Sequence, residues 1–389
     1  MDSETGPLRR NSHPRDGTSP AVLLVRPLPG PRWLSVSRYA DEIFVHGGLT
    51  GASLTVVEAP WWNPASVVAG AGARWWRQTA VRGAARGDFD VVHLTDHALG
   101  HHVRRFAGAH TLVTCHDVMP WFLPGYFASR GEGLLKRGFL RRSVHGMLAA
   151  DHILCVSSTT AADLVRIFDY DPARISVVPN VIDDVFEPNG AAVGELSSAG
   201  IALPGGPRIL SVGHSGPYKG LELLIAALAE PSLAGAWLVR AGAPLTSAQR
   251  GLASRLGVEA RITQLGRVDD PTLARLYGAS DVLAQPSRYE GFGIPLVEAM
   301  ACGLPVVCSD GGALPEVAGG AARIVPLTAS DGDDSRAFAT ALAEVIENHG
   351  VRAALRTAGL ERACRFRPGN VMPELGRVYA ALAAAEKLP

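Results

Sequence analysis

The sequence is short of lysine: among its 37 lysines and arginines, only Lys136, Lys219 and Lys387 are lysines. A lysine inside a glycine-rich loop therefore draws attention. Charge of one sign is also missing. Lysine plus arginine and aspartate plus glutamate both number 37, so a general nucleic-acid coat is excluded, because phosphate binding needs a basic excess. The five cysteines, Cys115, Cys155, Cys302, Cys308 and Cys364, are odd in number and irregular in spacing, with no Cys-x-x-Cys pair. That argues against a disulfide frame and a zinc site and predicts buried thiols in a reducing compartment. His101 and His102 lack a carboxylate or cysteine at ligand spacing, so no metal is expected. No apolar run reaches the roughly 18–20 residues that span a bilayer. Residues 1–20 carry no apolar core of a secretory signal and are read as a disordered lead. The expected location is cytoplasmic, with peripheral contact at the inner face of the membrane left open. No Gly-x-Gly-x-x-Gly follows the first apolar run, which argues against a nicotinamide dehydrogenase.

What is present is a chain of 389 residues, 47% hydrophobic and 19% charged, with 43 glycines and 27 prolines in no fixed period. This is enough for two cored domains with many tight turns. Continuous apolar runs at 21–26, 53–58, 90–94, 111–115, 152–156 and 175–178 read as parallel strands covered on both faces. Helical patterns at 134–149 and 159–168 lie between them. A second series has strands at 208–213, 236–241, 261–265, 281–285, 305–308 and 323–325. Its helices fall at 220–229, 246–256, 270–279 and 294–302, and helical stretches follow at 335–364 and 372–387. Alternation of this kind implies an α/β fold of two facing Rossmann-like domains with a cleft between them. The expected boundaries are 21–188 for the first domain, 189–206 for a Gly/Pro/Ser-rich linker and 207–370 for the second, with the helix near 372–387 packing back on the first.

Two stretches carry chemistry. In SVGHSGPYKG (211–220), a strand ends at Gly213, a loop holds Gly216 and Pro217, and Lys219 precedes an amphipathic helix. Unpaired helix-start amides and a lysine suit a diphosphate. A plain strand–turn–helix with a solvated lysine fits these residues as well. In PSRYEGFGIPLVEAMACGLPVV (286–307), Glu290 and Glu298 have seven residues between them, and Gly291 and Gly293 suit close approach of backbone to a ligand. One carboxylate would meet sugar hydroxyls and the other a ribose; a helix cap and a loop charge are the plainer alternative.

These stretches, with LYGASDVLAQ between them and LPEVAG after, resemble the retaining family 4 glycosyltransferases of GT-B architecture. The likeness continues more loosely through TLVTCHD, VSSTTAADLV and ISVVPNVID. The resemblance implies that Lys219 neutralises the donor diphosphate, that Glu298 holds the ribose, and that Glu290 stands beside the donor sugar. The backbone of Gly291, Phe292 and Gly293 would follow sugar and phosphate, with Gly213 and His214 in the phosphate loop. His116 would face the donor from the first domain; a strand-end histidine beside a capping Asp117 is its alternative. Glu290, His116 and Lys219 are the catalytic candidates. Arg267 either faces the base or is solvated. The implied reaction moves a hexose from a nucleotide-diphosphate sugar to an acceptor hydroxyl of a glycan, lipid or small molecule, with retention and without metal or cofactor. A sugar-nucleotide 2-epimerase and a non-catalytic sugar-nucleotide sensor are rivals.

The chain departs from the family in two places. His214 stands where many members carry a second phosphate-binding arginine, and 27–40 (PLPGPRWLSVSRYA) replaces a glycine-rich loop, keeping only Gly30. The basic stretch 130–146, with Arg130, Lys136, Arg137, Arg141 and Arg142, reads either as a membrane-facing surface or as a solvated helix face. Trp61–Trp62 and Trp75–Trp76 suit packing or sugar stacking.

Overall fold

The computed structural model describes residues 8–10, 19–27, 34–59, 83, 87–106, 108–121, 133–190, 192–328 and 330–386. The chain forms two compact units, one of 1–181 with 368–389 and the other of 182–367. It thus crosses between units after Val181 and again after Arg367.

The first unit has strands β1 (Leu8–Arg10), β2 (Ala21–Pro27), β3 (Ser53–Ala59), β4 (Val91–Leu94), β5 (His110–Cys115), β6 (His152–Cys155) and β7 (Ile175–Val177). Their order is β1-β3-β2-β4-β5-β6-β7. All neighbouring pairs are parallel except β1 with β3. The expectation of a disordered lead therefore fails at Leu8–Arg10: β3 would otherwise be an open sheet edge, and this short antiparallel piece covers it. The other residues of 1–18 lie outside the described residues.

Alternate β2 side chains point to opposite faces, so the sheet has a core on each side. Leu23 and Val25 join Leu94, Val113, Ile153, Val144 and Met147 on one face. Val22 and Leu24 join Leu54, Leu112, Ile43 and the C-terminal helix residues Val371, Met372, Leu375 and Tyr379 on the other. The helix Pro368–Ala384 thus completes the first unit's core. Helix Gly133–Leu148 crosses the helical turns His97–Phe106 closely, because a Cβ on Gly146 would lie 2.2 Å from the Gly100 oxygen.

The second unit has β8 (Arg208–Gly213), β9 (Trp237–Gly242), β10 (Ile262–Gly266), β11 (Val282–Gln285), β12 (Val306–Ser309) and β13 (Arg323–Val325). All pairs are parallel. The order is β10-β9-β8-β11-β12-β13. Counted from its own first strand this is 3-2-1-4-5-6, the dinucleotide-binding order, whose ligand crevice opens where β8 and β11 diverge.

One expectation needs correction and one is sharpened. Residues 189–206 are no free linker: helix Ala192–Ser198 buries Ala192 and Leu196, four apart on one face, and Glu195 meets Arg275 of helix Asp270–Gly278 at 2.6 Å. The stretch 335–364 is two helices, Asp331–Glu347 and His349–Cys364, because the Asn348 side chain accepts the Gly350 and Val351 amides and starts a new helix.

Candidate functional site

β8 ends at Gly213, whose φ of 119° only glycine adopts readily. The chain then passes His214–Gly216, makes a tight turn over Pro217–Lys219, and enters helix Leu221–Leu228 through Gly220 at φ 65°. A Cβ on Gly220 would sit 2.1 Å from the Pro286 oxygen. Glycine therefore lets the Lys219 turn lie directly on the segment that follows β11. The Arg288 amide also donates to the Tyr218 oxygen at 2.7 Å.

This seam brings Lys219 and Glu290 together. Lys219 Nζ donates to Glu290 Oε1 at 2.6 Å. The same oxygen accepts from Ser287 Oγ at 2.6 Å and Gln285 Nε2 at 3.3 Å. Burial alone would raise the Glu290 pKa, but the Lys219 charge and these three hydrogen bonds outweigh it and hold the carboxyl below its ordinary value. Glu290 is thus an ionised carboxylate at neutral pH, and its backbone oxygen is fixed by the Ala313 amide at 2.9 Å.

Gly291 is half-buried, and Phe292 turns its ring into the unit, edge-on to Phe366 at 5.5 Å between centroids. That leaves the backbone of 291–293 as the part able to meet a ligand. Gly293, at φ 103°, opens helix Ile294–Ala301. Glu298 lies on that helix, 1% exposed, and accepts from the Tyr277 hydroxyl at 2.7 Å.

The two helices that open here differ from most others in the unit. Helices Ser247–Arg255, Asp270–Gly278, Asp331–Glu347 and His349–Cys364 are capped by the side chains of Thr246, Asp269, Ser330 and Asn348. Helices Leu221–Leu228 and Ile294–Ala301 begin at left-handed glycines with no side-chain cap. Uncapped amides carry the helix's positive end and favour an anion.

The remaining candidates take no part in the Lys219–Glu290 hydrogen bonds. His214 is exposed and bound into its own loop: Nδ1 accepts the Gly216 amide at 3.1 Å and Nε2 meets the Tyr218 hydroxyl. Arg267 is exposed just beyond β10. His116 belongs to the first unit, after β5; its Nε2 donates to the Thr95 oxygen at 3.0 Å and its ring stands edge-on to Tyr39. Burial lowers the His116 pKa, opposed by the Asp96 charge and by the Thr95 hydrogen bond. Asp117 Oδ1 accepts the Met119 amide, starting the turn Met119–Trp121.

Of the basic stretch, Arg130 lies outside the described residues. Arg141 and Arg142 are exposed, while Val144 and Met147 enter the core. Both tryptophan pairs and Gly30 also lie outside the described residues. No helix among the described residues is long and apolar enough to cross a membrane.

Sequence reasoning missed Ser287, Gln285, Tyr277 and Arg240. Gln285 and Arg240 did leave a signal, since each is a polar residue inside an apolar strand run, VLAQ and WLVRAG. Tyr277 and Ser287 left none, because their partners Glu298 and Glu290 meet them only in the fold.

The comparisons with known proteins agree with this architecture. The family model of glycosyl transferases group 1 matches residues 197–362, and that of glycosyltransferase family 4 matches residues 38–186. A D-inositol 3-phosphate glycosyltransferase of Corynebacterium efficiens is 32% identical over 249 residues, 61% of this chain and 58% of that protein. One of Mycobacterium tuberculosis is 36% identical over 174 residues, 43% of this chain and 35% of that protein. The matched region thus spans less than two thirds of either relative. Among solved structures, a sucrose-phosphate synthase of Thermosynechococcus elongatus superposes with TM-score 0.74 at 21% identity, over 95% of this chain and 100% of that one. HepE of Anabaena, in complex with UDP and glucose, superposes with TM-score 0.70 at 17% identity, over 93% and 100%. Two Rossmann-like units, each matched by its own model, show that the chain belongs to the family 4 glycosyltransferases of GT-B fold.

Proposed function

We propose that the protein is a retaining glycosyltransferase that moves a hexose from a nucleotide-diphosphate sugar to an acceptor hydroxyl, without metal or cofactor. The observation that carries this reading is the Lys219–Glu290 ion pair at 2.6 Å, set at the β8/β11 switch point beside two uncapped helix starts. The UDP bound by HepE and the glycosyl-transferring relatives support it.

As the glycosidic bond lengthens, positive charge builds on the anomeric carbon and negative charge on the leaving diphosphate. Lys219 and the amides of the two helix starts neutralise the second, at a site that needs no reorganisation. The ionised Glu290 accepts hydroxyl hydrogens of the sugar, and Glu298 those of the ribose. The diphosphate oxygens then take the proton of the incoming hydroxyl, which retention places on the same face. His116, held neutral by burial in the first unit, gives its Nε2 hydrogen to the Thr95 oxygen. The free thiols of the five cysteines fit a cytoplasmic site of action. A lipid-borne acceptor would bring the exposed Arg141 and Arg142 to anionic headgroups.

Calorimetry with UDP-, GDP- and ADP-sugars, followed by NMR of the product anomer, tests the reading. Binding of one donor and a product of unchanged anomeric configuration support it. A C2-epimerised sugar nucleotide would indicate an epimerase, and donor binding without turnover over a broad acceptor panel a sensor.

A further inference from the structure

Arg240 lies in the middle of β9 and is 1% exposed, between the buried Val239 and Ala241. Its guanidinium meets no carboxylate among the described residues. Nη1 donates to the Ser211 and Ala241 oxygens at 3.2 and 3.3 Å, and Nη2 to the Gly213 oxygen at 2.5 Å. Nε is buried without a partner. Burial draws the group down to about 10, so it keeps its proton at neutral pH. A buried charge with no counter-ion is strongly unfavourable, yet this one is built into β9, between β10 and β8.

Its position gives it a use. The Gly213 oxygen it grips is the last of β8, at the switch point, one residue before the loop to Lys219. Gly242, at φ 125°, makes room, since a Cβ there would lie 2.0 Å from that oxygen. The same oxygen accepts the Ala243 amide at 3.0 Å, so the backbone and the guanidinium together hold the Gly213 carbonyl toward β9; a trans peptide is planar, and the His214 N–H therefore points the other way, toward the β11 side. The surrounding interior also screens the charge poorly.

We propose that Arg240 is a positioning residue for the donor diphosphate: a buried guanidinium that supplies the second positive charge at this loop, where His214 stands in place of an exposed arginine, and that orients the loop's first amide. This rests on the donor reading above. A structural strut would predict a different pattern. It would lower stability when removed and would affect nucleoside and nucleoside diphosphate alike.

The test uses the full chain with Arg240→Met and Arg240→Lys. Calorimetry is run with inorganic pyrophosphate, with UDP, GDP and ADP, and with the three parent nucleosides. The expected result for Arg240→Met is a diphosphate affinity about tenfold lower, with a shallower salt dependence and unchanged nucleoside affinity. Its ligand-free melting temperature is expected to hold or rise, since an unpaired buried charge is gone. Arg240→Lys, which keeps the charge, is expected to recover part of the loss, and it serves alone if the methionine variant does not fold. Diphosphate affinity at the wild-type level in Arg240→Met overturns the inference and leaves the donor reading intact. So does an equal loss of nucleoside and diphosphate, or diphosphate affinity no better in the lysine variant than in the methionine one. A wild-type chain that binds pyrophosphate and none of the three diphosphates overturns the donor reading, with the arginine inference then judged on pyrophosphate. A wild-type chain that binds none of the four overturns both.

Discussion

Each unit buries a basic side chain on an interior strand of its sheet, and the two side chains respond to burial differently. His93 on β4 is fully buried and hydrogen-bonded on both ring nitrogens, to Tyr379 at 2.8 Å and Thr114 at 2.7 Å. Burial, with a smaller push from His116, brings it down to about 3, so it is neutral. Arg240 on β9 is as deeply buried and stays charged. The first unit dissipates a buried charge by releasing a proton, while the second retains one beside the loop that follows β8. The strand ends follow the same division. After β4 and β5 the first unit ties its polar groups to one another, with Asp96 3.5 Å from His97 and His116 bonded to Thr95. After β8 and β11 the second unit sets a lysine against a carboxylate between two uncapped helices. Only the second arrangement leaves a cation and uncapped helix amides side by side, the pairing that favours an anion.

The comparison can be broken experimentally. Lys219→Ala removes the cation proposed to face the leaving group and should lower kcat/KM about a hundredfold; steady-state kinetics with the donor identified by calorimetry checks it. A pH effect specific to the first unit comes next. The folded pKa of His93 is depressed, so the unfolded chain binds the extra proton first. Stability is then complete above 6.5 and falls as the pH drops toward 3, by about 1.4 kcal/mol per pH unit. Urea denaturation at stepped pH should show this slope, and His93→Gln should flatten it. Glu298→Ala should weaken donor binding at least tenfold, measured by calorimetry. Tyr277→Phe removes one hydrogen bond to the same carboxylate and should cost about threefold; an unchanged affinity would mean that Tyr277 does not orient Glu298.

How much was legible follows from the range over which each feature is encoded. Every strand but the short antiparallel β1 could be read to within a residue or two, because a parallel strand covered on both faces is a continuous apolar run, as in LLV of β2 or VLA of β11. Glu290 and Lys219 could be singled out from local spacing and glycine content. Their direct pairing could not, because it depends on the turn over Pro217–Lys219 lying against Pro286, a contact 71 residues apart for the ion pair itself. Helix Ala192–Ser198 was hidden by its Gly/Ser-rich surroundings, and its partner Arg275 lies 80 residues away. Arg240 was visible as a charge in an apolar run, but its carbonyl partners on β8 were not.

The second unit is inserted between two parts of the first. Ile182 donates to the Phe366 oxygen and Arg367 reaches the Asp183 and Phe186 oxygens, so the outgoing and returning chains are stitched together at the doorway. Beyond it, Tyr379 closes over a histidine 286 residues earlier. During synthesis the core of the opening domain can therefore close only after residues 368–384 have left the ribosome. A gene cut after codon 367 would remove the lid from the opening domain's interior while sparing every side chain of the proposed donor pocket in the second unit.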